Sequence, residues 1–194
     1  NLPVDEVDSR QMMNKIVTAC ILSLCFLGLE LLAEGFYVTS EDINGQLSNR
    51  QVFDGFGCNG ENISPSLSWD KAPEGTESFA ITMFDPDAPT GSGWWHWLIF
   101  DLDKKTTMVK HNAGNPALDI APKGSIQSVT SFGFKGYGGA CPPQGDSAHR
   151  YVFTVHALNV KALGIDENST PAMVGFYLNK NTLAKASLIA YYGR

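Results

Sequence analysis

Two stretches decide how this chain folds: Asp85-Pro86-Asp87-Ala88-Pro89-Thr90-Gly91-Ser92-Gly93-Trp94-Trp95-His96-Trp97 and Gly136-Tyr137-Gly138-Gly139-Ala140-Cys141-Pro142-Pro143-Gln144-Gly145-Asp146-Ser147-Ala148-His149-Arg150-Tyr151. In each, a Gly/Pro-rich turn carrying titratable side chains runs straight into an apolar stretch of strand length. Turns sit at the surface, and the strands behind them hold them still, which is how binding sites are commonly built. The aspartates, the two histidines and Tyr151 are thus offered from rigid loop bases, a pattern that points to a small polar pocket rather than a large cleft.

Apolar runs of strand length flank both stretches. Ser78-Phe79-Ala80-Ile81-Thr82-Met83-Phe84 is a nearly continuous apolar run, as expected of a central strand covered on both faces. Trp95-His96-Trp97-Leu98-Ile99-Phe100 and Arg150-Tyr151-Val152-Phe153-Thr154-Val155-His156-Ala157-Leu158 are two more core strands. Phe36–Ser40 alternates and opens a strand, Asn44-Gly45 is a turn signal, and Asn62–Trp69 has period two, with Pro65 placing it at an edge or in a loop. Residues 110–128 read as a long irregular excursion. Helix is expected only in the C-terminal third, at Thr170–Phe176, where Thr170-Pro171 suits an N-cap and first turn, and at Thr182–Ile189. With 19 glycines and 10 prolines punctuating the chain and no linker or repeat, the expected fold is mainly β: a sandwich of two antiparallel sheets with short C-terminal helices.

At 194 residues and 43% hydrophobic, the chain can bury one good core. The net charge of -6 and the lack of any Lys/Arg cluster argue against nucleic acid as a partner. The N-terminus is read separately. From Met12, one lysine precedes an apolar run from Ile16 to Leu29, followed by Glu30-Leu31-Leu32-Ala33. This is the make-up of a secretory signal peptide at 12–33, cleaved after Ala33, with a retained anchor as the alternative. Residues 1–11 then form an upstream extension or cloning remnant, residues 34–194 form the domain, and the localisation is secreted, in a bacterial periplasm. Cys58 and Cys141, the cysteines left after cleavage, both lie in Gly-rich loops. An oxidising compartment permits a bridge between them, two free thiols being the alternative.

Three chemistries could use the polar cluster. A metal site would take Asp85, His96 and His149, but no HxH, HxxxH or CxxC spacing is present. A hydrolase would want an activated Ser or Cys, but there is no GxSxG, and Cys141 beside Pro142-Pro143 reads as a turn. An anion pocket needs only histidine N–H groups, the Tyr151 hydroxyl and Gly-rich backbone amides, and it fits best. Two carboxylates beside an anion would repel it. Asp85 is therefore expected to orient a histidine and keep it protonated as a donor, so that affinity falls as pH rises through about 6 to 8. A few such bonds in a water-accessible pocket suggest dissociation constants of about 1 mM to 1 μM. His156, alternating with apolar residues, is expected to be structural.

These residues closely resemble the two signature segments of the phosphatidylethanolamine-binding proteins, also called the Raf-kinase-inhibitor-like family. Gly60-Glu61-Asn62-Ile63-Ser64-Pro65 matches a segment typical of the bacterial, YbhB/YbcL-like branch. The resemblance runs from about Phe36 to the C-terminus. It implies a two-sheet sandwich with a small pocket for phosphate-like anions or phospho-headgroups, lined by Asp85, Asp87, Pro89, His96, Pro142, His149 and Tyr151, with Gly139 on the rim. It implies no catalytic residue, no metal and no cofactor. It also implies modulation of a partner protein, a kinase or a protease, and a homodimer to which Trp94–Trp97 could contribute. The long C-terminal helix of eukaryotic members has only a shorter counterpart here, around Thr182–Ile189, which weighs against lipid binding. A hydrolase using Asp85 with His96 and His149, with or without a metal, is the alternative function, and a protease inhibitor acting through a surface loop is a third.

Overall fold

A computed structural model describes residues 35–194. The expectations for 1–11 and 12–33, a signal peptide among them, lie outside the described residues.

The described chain is mainly β. Strand β1 (Tyr37–Thr39) is followed by a short ribbon, β2 (Asp54–Gly55) and β3 (Cys58–Asn59), then β4 (Leu67–Asp70), β5 (Ser78–Asp85), β6 (Trp94–Asp103), β7 (Met108–Val109), β8 (Ile126–Gln127) and β9 (His149–Leu158). Helix α1 (Pro171–Asn181) and β10 (Thr182–Tyr192) complete it. A five-stranded antiparallel sheet runs β10-β9-β5-β6-β8, and a three-stranded sheet runs β1-β4-β7. Leu67, Trp69 and Val109 of the small sheet pack on Ile81, Met83, Trp97, Ile99, Phe153 and Val155 of the large one. On the other face of the large sheet, Ala80, Leu98, Phe100 and Leu158 pack under Val174 and Leu178 of α1. This two-sided burial accounts for the unbroken apolar run of β5.

The C-terminal third departs from expectation. Helix α1 is capped as expected by Thr170, whose Oγ1 accepts the Met173 amide, but it continues to Asn181. The segment expected to be a second helix, Thr182–Ile189, is instead the first part of β10, paired with β9 as far as Tyr192↔His149. Ala184, Lys185 and Ala186 favour helix locally. Without β10, however, β9 would be an edge strand with unpaired backbone groups in a buried sheet, so tertiary pairing prevails. The alternation that licenses it is visible in hindsight: Ala186 and Ala190 are buried, while Lys185, Ser187, Ile189 and Tyr191 are exposed. The proposed counterpart of the eukaryotic C-terminal helix is therefore a strand. Of Asn62–Trp69, read as an edge strand or a loop, residues 62–66 are loop and strand begins at Leu67.

Candidate functional site

One end of the inter-sheet core opens into a pocket. Strand β9 directs His149, Tyr151, Phe153 and Val155 to one face, so the apolar row of the core ends in two polar side chains. Strand β5 ends beside them at Asp85. The third element, β6, brings His96 by a local irregularity. Met83 pairs with Trp97 and Phe84 with Trp95, so β6 carries one residue more than β5 at this point, and that residue is His96. Such a bulge re-aims a side chain. Here it leaves Trp97 in the inter-sheet core and Trp95 on the helix side, with His96 in the pocket wall.

The pocket encloses about 190 Å³, and its polar residues are Asp85, His96, His149, Tyr151 and Thr90. Pro89, Pro142, Pro143, Phe56, Trp94 and Phe132 supply an apolar collar. The Asp85 carboxylate is fully engaged: Oδ1 accepts the Asp87 and Ala88 amides at 2.8 and 3.0 Å, and Oδ2 accepts His149 Nδ1–H at 2.8 Å. His149 Nε2 lies 3.4 Å from Asp146 Oδ2. The Tyr151 hydroxyl is buried and has no hydrogen-bond partner among the described residues. Burial, reinforced by the Asp85 charge, pushes the phenol well above its ordinary range, so it stays a hydroxyl. His96 Nδ1 lies 2.8 Å from Gly138 O and 3.1 Å from Gly139 O, and the Tyr151 and Phe132 rings stand edge-on to the imidazole.

This arrangement corrects part of the sequence reading. Of the two histidines, His149 is the one that Asp85 orients. Burial holds His96, the other candidate donor, down to about 4, so its imidazole is neutral near pH 7. Asp87 does not line the pocket. Its carboxylate turns outward to Arg150, with Oδ2 accepting the backbone amide and Nε–H, and Oδ1 accepting an Nη2–H. That pairing lowers Asp87 to about 2 and clamps the 85–89 turn to the start of β9. Gly139 supports the pocket without lining it. Its carbonyl accepts from His96, and a Cβ there would meet Gln51 O at 2.3 Å and Phe53 N at 2.5 Å, so only glycine allows the two loops to approach.

Some contributors were missed. Phe56 and Phe132 form much of the collar, but both lie in Gly-flanked loops whose sequence says nothing about where they land. Asn62 bridges the pocket loop, with Oδ1 accepting the Gly139 amide and Nδ2 donating to Tyr137 O. Its place in the Gly60–Pro65 motif was the available signal. Cys58 and Cys141 are joined by a disulfide across 83 residues, tying the β2–β3 ribbon to the pocket loop. Arg194 reinforces this tie by donating to Pro142 O and Gly57 O. Among the described residues, no group of three or more His, Cys, Asp and Glu side chains is placed to share a metal ion.

A family model for "Phosphatidylethanolamine-binding protein" matches residues 42–193. UPF0098 protein YbcL of Escherichia coli (strain K12) is 44% identical over 182 residues, covering 93% of this chain and 98% of YbcL. UPF0098 protein YbhB of the same organism is 48% identical over 147 residues, covering 76% of this chain and 92% of YbhB. The crystal structure of E. coli YbcL, described as a new member of the mammalian PEBP family, superposes with a TM-score of 0.80 at 47% identity, over 82% of this chain and 98% of that one. Fold, signature segments and relatives agree: this chain belongs to the phosphatidylethanolamine-binding protein family.

Proposed function

We propose that this chain is a secreted, periplasmic, non-enzymatic binding protein whose pocket takes a small anion, a phosphate or a phospho-headgroup, and that occupancy of this pocket modulates a partner protein. The observation that carries the reading is the hydroxyl of Tyr151, a residue lining the pocket, which is buried without a partner among the described residues. An unpaired buried hydroxyl costs about 1–3 kcal/mol, which a ligand oxygen accepting from it recovers. His149, braced by the buried Asp85, offers a second polar contact. A cavity of about 190 Å³ is small for a drug-sized ligand, in keeping with a headgroup-sized one.

The test is an NMR titration with phosphate and phosphoethanolamine at about pH 6, comparing wild type with His96→Ala/His149→Ala. Saturable shifts confined to Asp85, His96, His149, Tyr151 and their neighbours, and lost in the double variant, are expected. A folded wild type that shows no shifts would remove the anion reading. The buried His149–Asp85 pair is what a hydrolase reading would use, since a carboxylate-supported imidazole can act as a general base. Turnover of any phosphate or acyl ester that is abolished by His149→Ala would favour that second reading.

A further inference from the structure

The pocket presents one atom whose hydrogen-bonding sense is dictated by the fold. The Gly138 and Gly139 carbonyls can only accept, so His96 Nδ1 carries the ring proton and donates to both. Nε2 is left as the ring atom for the cavity, with no partner among the described residues. Burial resists a second proton on this ring. The groups that face it are Asp85 from the end of β5, His149 and Tyr151 from β9, and the Phe132 ring. The Asp85 charge favours protonation and His149 opposes it, but both Asp85 oxygens are already taken up by two amides and His149. The pocket wall therefore carries a lone pair at Nε2 and, on Tyr151, whose ring centroid lies 5.2 Å from the imidazole, a hydroxyl.

We propose that an anion must bring its own proton to this pocket: His96 Nε2 accepts a hydrogen bond from a P–OH group while Tyr151 donates to a bare oxygen, so that phosphate and protonated phosphate monoesters are selected over sulfate and phosphodiesters. The proposal rests on the anion-binding reading and narrows it. Inorganic phosphate keeps at least one proton throughout the neutral range. A phosphate monoester loses its last proton at about pH 6. Sulfate and phosphodiesters have none to offer near neutrality, so each sets an oxygen lone pair against that of Nε2 unless the ring is protonated first. With His96 at about 4, protonating it at pH 7 carries a penalty of up to about 1,000-fold in affinity. The intact headgroup of a phospholipid is a diester and falls on the disfavoured side.

The test is calorimetric titration of the protein with inorganic phosphate, sulfate, phosphoethanolamine and glycerophosphoethanolamine between pH 5.5 and about 8. Affinity ratios taken at one pH cancel any pH effect that acts on all ligands alike. At pH 7.5 phosphate should bind at least about tenfold more tightly than sulfate, which has nearly the same size and charge, and than the diester. Phosphoethanolamine should lose about tenfold relative to inorganic phosphate per pH unit above its own titration. Histidine-selective nitrogen-15 NMR of the free protein at pH 7 should find His96 Nε2 unprotonated. Equal binding of all four ligands, or an Nε2–H in the free protein, would overturn the proton requirement and leave anion binding standing. Binding of none of the four would overturn both. Preferential binding of the diester would assign the pocket to an intact lipid headgroup and also overturn the proposal.

Discussion

The Tyr151 hydroxyl makes no hydrogen bond to the described residues, so it is useful only when a ligand accepts from it. Tyr151→Phe should therefore leave stability unchanged or raise it by about 1 kcal/mol, because it removes a buried unpaired polar group. The same change should weaken phosphate binding about tenfold, as loss of one charge-assisted hydrogen bond implies. Parallel urea denaturation and phosphate titration of the variant would check both, and destabilisation by more than about 1 kcal/mol would indicate an unseen structural partner. At this scale, local pattern pointed to Asp85, His149 and Tyr151, and all three line the cavity: Asp85 ends β5, His149 begins β9, and Tyr151 shares its face two residues on. It failed for Asp87. A carboxylate two residues from Asp85 has no local reason to turn away, and only the approach of Arg150 from β9 draws it out.

At the scale of elements, β9 carries a second neutral histidine away from the pocket. His156 lies between Thr82 and Thr182. Thr182 Oγ1–H donates to Leu178 O, so it accepts from His156 Nδ1–H, and Nε2 is left to accept from Thr82. Burial first, and the Lys185 charge second, hold this ring down to about 3. Both histidines bind a proton more readily when unfolded than when folded, so their contribution to stability is present above the ordinary histidine pKa and is lost as pH falls from about 6.5 through 4 and on to 3. Denaturation midpoints measured over that range should decline with acid, and His156→Gln should reduce the slope by about one proton. A variant slope as steep as wild type would mean that His156 titrates normally in the fold. The bulge that aims His96 belongs to the same scale. Alternation along Trp95-His96-Trp97 implies that both tryptophans share a face, yet the extra residue in β6 places them on opposite faces.

For the molecule as a whole, the pocket is where the inter-sheet core meets loops contributed from distant parts of the chain. The Cys58–Cys141 bridge and Arg194 fasten the ribbon carrying Phe56 to the loop carrying Pro142 and Pro143. Closing a loop of this length stabilises a fold by about 2–5 kcal/mol. Cys58→Ser/Cys141→Ser should lower stability by that amount and weaken phosphate binding several-fold, because Phe56, 70% exposed, is otherwise held in the collar mainly by ring contacts with Phe53 and Phe132. Thermal melts with and without reductant, on wild type and the double variant, would separate the contributions. A variant as stable as oxidised wild type would show the bridge to be dispensable.

Short-range chemistry is enough for the β class, from alternating and continuous apolar runs between Gly/Pro turns, for the cap at Thr170, and for the polar strand ends that make a pocket. Partnership came from long-range packing. It joined Asp85 to His149, left His96 neutral against two glycine carbonyls, brought Phe56 and Phe132 to one rim, and drew 182–192 into the sheet as a strand. Periodicity and turn propensity are properties of neighbouring residues, whereas a hydrogen-bond partner, a bulge or a buried charge depends on which distant segment arrives, and that is set by packing the whole chain at once.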